Sequence, residues 1–275
     1  MNISLAAEPI FHIGGFAITN SLFVSWIVVL VLVLLARALS RRTHDVPRGL
    51  QNIAESVIEV MLSFSDGVTG DRKQSVRFLP MVGAIFFFVL VSNWMGLLPG
   101  FGSIGVNELH HGEVVLIPFF RAASADLNFT IALAVISVVA AQVYGMRTVG
   151  TFAYWGKFFV PPWKSPYIIG TFVGLLEFIS EFAKIISFSF RLFGNVFAGE
   201  ILLAVMAFLA PVLAPIPFLF LEIFVGVVQA MVFAMLSLVF FKIATETHGA
   251  EGHEENHQDT HHIEHPMAVP EEVKI

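Results

Sequence analysis

The sequence predicts an all-α integral membrane protein in which five helices cross the bilayer and one amphipathic helix lies at its surface. Hydrophobic residues make up 56% of the 275-residue chain and charged residues only 13%, whereas soluble proteins carry about 25% charged residues. A single soluble core cannot bury so much apolar surface, so lipid must solvate part of it. The charged residues are also grouped, and long uncharged stretches separate the groups.

Three uncharged stretches predict ordinary membrane spans at residues 16–36, 78–98 and 127–146. Each is close to the 20 or so apolar residues that cross about 30 Å of hydrocarbon. Ser124 and Asp126 precede the third stretch, and either side chain is a suitable N-cap for its helix.

Residues 50–64 form a different pattern. Their apolar side chains recur at helical spacing and their polar side chains fill the opposite face. This periodicity predicts an amphipathic helix that lies in the membrane interface.

The last two apolar segments, at residues 167–210 and 218–242, are predicted to be long helices. No proline occurs between Pro166 and Pro211, so one helix of up to about 66 Å fits there. A helix longer than the bilayer is thick must tilt or bend. We therefore expect a strongly tilted helical hairpin.

Basic residues orient the protein. With five crossings, the positively charged loops all fall on one side: Arg37, Arg41, Arg42, Arg48, Arg72, Lys73, Arg77, Arg147, Lys157, Lys164 and Lys242. The acidic loop around Glu108 and Glu113 falls on the other. By the positive-inside rule the N-terminus is outside and the C-terminus cytoplasmic.

Residues 1–245 form the predicted membrane domain, and residues 246–275 form an acidic tail that holds six of the ten histidines. The tail has eight acids and one base, which accounts for the net charge of −6. Its composition predicts a disordered extension, with weak metal or proton buffering as the alternative. No basic stripe suggests nucleic-acid binding. The chain has no cysteine, and no cofactor or metal site is expected.

Charged side chains inside predicted spans are costly, at about 2.5–3.5 kcal/mol each, and indicate function. The pattern places them all in the last two helices: Glu177, Glu181, Lys184, Arg191, Glu200 and Glu222.

Arg191 has no local partner in this pattern. At about 100° per residue, it shares a helical face with Ser187 and Asn195, and Glu200 faces away. Its partner is therefore expected on another helix, where Glu222 and Gln229 share a face, or on another subunit.

Glu181 and Lys184 are three residues apart and can form a structural salt bridge. The carboxylates before and after Arg191 suit two aqueous proton routes separated by a fixed positive charge.

The segment at residues 189–200, SFRLFGNVFAGE, closely resembles the signature of subunit a of F-type ATP synthase, the membrane stator beside a rotating ring of c subunits. Weaker matches occur in the same order along the chain: NWMGLLP at residues 93–99, ADLN at residues 125–128, and Gln229-Ala230.

The resemblance implies that Arg191 is the stator arginine that prevents a proton short-circuit between two offset half-channels. Asn195 and Gln229 are then its polar neighbours, and Glu200 and Glu222 line the outer half-channel. As a like-charge pair, those two carboxylates would suit a proton relay. Glu177 then lies near the cytoplasmic route.

Asp126 belongs to one of the weaker matching segments and is also assigned to the proton pathway. The implied partners are the c-ring, the peripheral-stalk b subunits and the lipid of a bacterial inner membrane. The subunit is not an enzyme on its own, and the coupling ion is H⁺ or Na⁺.

Two alternatives come from other functional classes. A self-contained secondary transporter would use Arg191 to bind an anionic substrate, but the sequence lacks inverted repeats with matched broken helices. An intramembrane hydrolase lacks a recognisable nucleophile and base within the predicted spans. No GxSxG motif occurs, and the HExxH pattern at residues 253–257 lies in the acidic tail.

Overall fold

The computed structural model describes residues 8–13, 16–41, 49–98, 104–110, 113–156, 158, 167–210 and 213–246. The longer helices are α1 (Asn20–Ser40), α2 (Leu50–Thr69), α3 (Arg72–Met95), α4 (Leu127–Val149), α6 (Tyr167–Leu209) and α7 (Pro215–Glu246), and α5 (Thr151–Gly156) is short. Two antiparallel hairpins complete the structure: β1 (Pro9–Ile13) with β2 (Phe16–Thr19), and β3 (Gly105–His110) with β4 (Glu113–Pro118).

Among the described residues, five helices are long and apolar enough to cross a membrane: α1, α3, α4, α6 and α7. Helix α2 lacks this hydropathy and has the amphipathic pattern of an interfacial helix. The all-α membrane fold class is therefore confirmed. The two hairpins are not part of the prediction.

The first hairpin changes where the first span begins. Residues 16–19, predicted as helix, pair with β1 instead, and α1 starts at Asn20. The side-chain oxygen of Thr19 accepts from the Leu22 amide at 3.4 Å and caps the helix. Hydrogen bonds within the hairpin satisfy the backbone groups of residues 16–19, which would otherwise bond within a longer helix.

The turn between α2 and α3 has clear local causes. Gly70 ends α2 in the left-handed region at φ 72°, which glycine adopts at little cost. The Asp71 carboxylate then accepts from the Lys73 amide at 3.0 Å and starts α3 at Arg72. Arg72 and Asp66 form an exposed ion pair at 2.6 Å across this turn.

Helix α4 begins where the sequence predicts, and Asp126 rather than Ser124 caps it. The Asp126 carboxylate accepts from the Asn128 amide at 3.0 Å. Its other oxygen accepts from the Ser21 hydroxyl at 2.6 Å in a buried contact. Asp126 thus ties the start of α4 to the start of α1.

Helix α6 runs without interruption for 43 residues, or about 64 Å, as the absence of proline predicts. Helix α7 starts at Pro215, a position where the missing backbone N–H costs nothing. The strong tilt of this hairpin stays a prediction, and so does the disorder of the tail, since residues 247–275 lie outside the described part.

Helix α7 is central and packs against α2, α3, α4 and α6, whereas α1 packs mainly on α3. The core is aromatic and branched aliphatic, with fully buried side chains on facing helices: Phe78, Val82, Val89, Leu192, Phe233, Leu238 and Phe241. Buried hydroxyls link the helices as well. Ser137 donates to Ser237 at 2.6 Å between α4 and α7. This packing holds the middle of α6 against α7.

Candidate functional site

Arg191 lies near the middle of α6 and is exposed on its outer face. Small exposed residues continue this face at intervals of three and four, with the exposed Asn195 beside them: Ser180, Ala183, Ser187, Gly194 and Ala198. Large exposed side chains, including Phe182, Ile186 and Phe190, run beside them. We call the line of small residues through Arg191 the small-residue stripe. It lets another helix approach α6 closely.

Within the described residues, no carboxylate oxygen lies within 4 Å of the Arg191 guanidinium. Glu222, the carboxylate expected as a partner from α7, does not pair with it. Glu181 and Lys184 do pair, at 2.6 Å, as their spacing predicts. Of the two sources of a partner left open by the sequence, the described helices of this chain therefore supply no carboxylate.

A cavity of about 210 Å³ lies between α3, α6, α7 and the segment after β4, and Arg191 is not among the residues that line it. Four predicted site residues line it: Asn195, Glu200, Glu222 and Gln229. Asn93 of α3, in the weaker matching segment NWMGLLP, is a fifth polar member. The tertiary structure therefore brings four of the six predicted pathway residues to one cavity.

The amides in this cavity are oriented by hydrogen bonds. The Asn195 Nδ2 donates to Gln229 Oε1 at 2.6 Å, one helical turn beyond Arg191. Asn93 Nδ2 donates to the carbonyl of Gly226 at 3.3 Å. Gln229 Nε2 and Asn93 Oδ1 are buried without a protein partner, and such atoms are usually satisfied by water. A hydrated cavity is the arrangement that satisfies them.

Arg121, which the sequence pattern does not single out, supplies a buried cation at the edge of this cavity. It precedes a 3₁₀ turn at Ala123–Ala125 and is only 7% exposed. Its Nε and Nη2 both donate to Glu200 Oε2 at 3.3 Å. Arg121 lies between two candidate spans rather than inside one, so it adds to the charges predicted within the last two helices without replacing any of them. The only local signal was an arginine placed between an apolar strand and the cap of α4.

Glu222 faces the same cavity from α7, and its carboxylate occupies the space where a Cβ on Gly199 would project. Glycine at position 199 is thus required by the close approach of α7. Glu200 and Glu222 are expected from the sequence to form a like-charge pair. In the structure Glu200 is bound by Arg121, whereas Glu222 has no cation within 4 Å among the described residues.

Two predicted pathway residues lie elsewhere. Asp126 is buried and caps α4, and it is not among the residues that line the cavity. Glu177 lies half-buried on α6, fourteen residues before Arg191.

Burial, followed by the charges of Glu181 and Glu177, raises the pKa of the Tyr154 hydroxyl on α5. This phenol therefore stays protonated at neutral pH.

The family comparison agrees with this geometry. A family model described as ATP synthase A chain matches residues 22–242. The chain belongs to this family. It is an integral membrane protein and part of the proton-translocating machinery of an ATP synthase complex.

The region that matches the ATP synthase A chain family contains all five candidate spans in whole or in large part. The matched region includes Arg191, the small-residue stripe and every residue that lines the cavity.

Proposed function

We propose that this chain is the stator of the proton-translocating sector, in which Arg191 is the fixed charge that separates two half-channels. The carrying observation is an exposed guanidinium in the middle of an apolar helix without a carboxylate within 4 Å in the described residues. An unpaired charge facing lipid is prohibitive. A carboxylate on a neighbouring subunit relieves that cost and is released when it takes up a proton.

The small-residue stripe supports a ring of c subunits as that neighbour. Lipid tails are as apolar as leucine, so close helix contacts in membranes depend on small residues rather than on the hydrophobic effect. On α6 the small side chains lie in line with Arg191. A passing helix can thus bring its carboxylate to the guanidinium. The peripheral-stalk b subunits are the further proposed partners.

The cavity supports an outer half-channel that ends beside Arg191. Protons enter through the space lined by Glu200 and Glu222 and reach the c-ring past the Asn195–Gln229 pair, which lies one turn from Arg191. Glu177 is proposed for the cytoplasmic half-channel, with the protonated Tyr154 near it. Asp126 contributes by holding α4 against α1 rather than by lining the cavity.

The arrangement in the cell follows from charge. Arg37 and Arg41 lie at the end of α1, and Arg147 lies at the end of α4. These ends face the cytoplasm by the positive-inside rule, so the N-terminus is outside the membrane and the C-terminus inside. A bacterial inner membrane is the proposed location. The coupled process is ATP synthesis driven by proton flow, and this subunit is proposed to have no catalytic activity of its own.

The alternative of a self-contained transporter is not favoured. The family match assigns the chain to a multisubunit complex. Arg191 also faces outward rather than into the cavity, whereas an arginine that binds a substrate should line a pocket.

An arginine substitution tests the stator role. We expect Arg191→Ala to abolish ATP-driven proton pumping, because no cation then attracts the c-ring carboxylate. The assay is fluorescence quenching of a pH-sensitive dye in inverted membrane vesicles, with the amount of assembled complex measured by immunoblot.

Arg147→Ala is the matched control, because Arg147 is an exposed arginine at the end of α4. It should pump like the wild type. Normal pumping by the Arg191 variant would overturn the proposed mechanism.

A cross-linking experiment tests the partner. The chain has no cysteine, so a single Ser187→Cys variant can carry a photoreactive maleimide without background. Irradiation of the intact complex should yield an adduct with the c subunit. Ile136→Cys is the control, because Ile136 is 52% exposed on α4, away from the small-residue stripe. An equal yield from both positions would contradict the proposed interface.

A further inference from the structure

Two carboxylates and one guanidinium meet in the cavity, and they are not equivalent. Arg121 is almost fully buried and directs two nitrogens to the same Glu200 oxygen at 3.3 Å. Glu222 reaches the cavity from α7, where no basic group lies within 4 Å of it among the described residues. One carboxylate is thus bound to a fixed cation, and the other is not.

The position of Arg121 is constrained by its neighbours in the chain. A Cβ on Gly96, at the end of α3, would overlap Ala122, whose backbone Cα would be only 3.0 Å away. The main chain next to Arg121 therefore lies directly against α3. An arginine held at its backbone and buried along its side chain has little freedom to leave Glu200.

The rest of the cavity contributes no further charge. Its other polar lining groups are the neutral amides Asn93 from α3, Asn195 from α6 and Gln229 from α7. The charged groups that face Glu222 across the described lining are therefore Arg121 and Glu200.

We propose that Arg121 is a positioning residue that keeps Glu200 ionised and in place, so that Glu222 is the carboxylate that takes up and releases the proton in this cavity. The proposal rests on the proposed function, because it assigns different roles to the two carboxylates of the outer half-channel.

The reasoning is electrostatic. An arginine does not lose its proton in proteins, so it favours the charged form of the carboxylate it contacts. Arg121 and Glu200 together are neutral. Glu222 then exchanges its proton next to a neutral pair, and the proton is not trapped by a second uncompensated carboxylate.

The test uses the sign of the charge left beside Glu222. At the alkaline end of the profile Glu200 is ionised even without its cation, so Arg121→Gln leaves one negative charge at the pair there. Glu200→Gln leaves one positive charge, and the double variant is neutral again. Passive proton conduction is measured against pH in vesicles stripped of the catalytic sector, with immunoblots to normalise for assembled subunit.

We expect the alkaline limb of the conduction profile to move to higher pH in Arg121→Gln and to lower pH in Glu200→Gln. Each shift should be about one pH unit, the size of a typical charge-assisted contact. The double variant should return the limb to the wild-type position, whatever its rate. Arg121→Lys keeps the charge and should leave the limb in place.

A purely structural role for Arg121 predicts a different result. Assembly or rate would fall in all variants while the limb stayed where it is, and that outcome would overturn the proposal. Shifts of the same sign in the two single variants would also overturn it. Arg147 is an exposed arginine on α4, so the Arg147→Gln variant controls for the removal of an arginine.

Arg191→Ala is measured in the same vesicles for ATP-driven pumping before stripping. If that variant pumps normally, the proposed stator function fails. If it is inactive and the alkaline limb of the conduction profile does not move in the Arg121 and Glu200 variants, the stator function stands. Only the roles proposed for Arg121, Glu200 and Glu222 then fail.

Discussion

Replacing Gly199 by alanine tests whether the position of the Glu222 carboxylate matters for proton conduction. The new Cβ would occupy the space that the carboxylate fills. A non-bonded pair of heavy atoms lies comfortably at about 3.5–4.0 Å, so the carboxylate must retreat by about 1 Å or more. The end of a glutamate side chain can move this far by changing its rotamer.

The substitution separates function from stability. Alanine is favoured over glycine inside a helix by about 1 kcal/mol, so α6 itself should not be weakened. A displacement of about 1 Å at a reacting group can reduce a rate by about 100-fold. We therefore expect Gly199→Ala to assemble normally and to conduct protons about 10- to 100-fold more slowly.

The assay is passive proton conduction through stripped vesicles, normalised to the assembled subunit. Gly83→Ala is the matched control, because Gly83 lies inside α3 and a Cβ there meets nothing within 4 Å. Wild-type conduction by Gly199→Ala at normal assembly would refute the reasoning. An equal loss in the Gly83 variant would refute it as well.

Two further predictions concern the packing of α4. Gly145→Ala places a Cβ between the Tyr154 ring and the backbone carbonyl of Ala244, the latter at 2.8 Å; overpacking should cost about 1–3 kcal/mol. A lowered thermal midpoint of the purified complex would show this, and an unchanged midpoint would contradict it. The Ser137–Ser237 contact at 2.6 Å should give a coupling of about 0.6 kcal/mol in a double-mutant cycle with alanine. Unfolding in mixed detergent measures it, and additive single effects would contradict it.

Much of the fold could be predicted because its signals are local. Membrane spans depend on runs of apolar residues, and the start of α4 depends on one carboxylate that caps it. The Glu181–Lys184 pair follows from helical spacing within a single element. The small-residue stripe could likewise have been found from the sequence, because it follows the same periodicity.

The missed features have a common cause, which is separation along the chain. Residues 16–19 are apolar enough for a span, yet pairing with β1 removes them from α1. Arg121 precedes the third span by a few residues and gives no sign that it reaches Glu200, 79 positions later. Gly199 similarly gives no sign that it makes room for Glu222.

Composition and periodicity were sufficient to establish a five-span membrane protein, and the single arginine in the middle of its longest helix was visible without coordinates. Tertiary structure decided which carboxylate pairs with which cation and which faces the cavity alone. The physical reason is that hydropathy and helical spacing act over a few residues. Coulomb interactions, in contrast, depend on distances that only the packing of α3, α6, α7 and the segment after β4 creates.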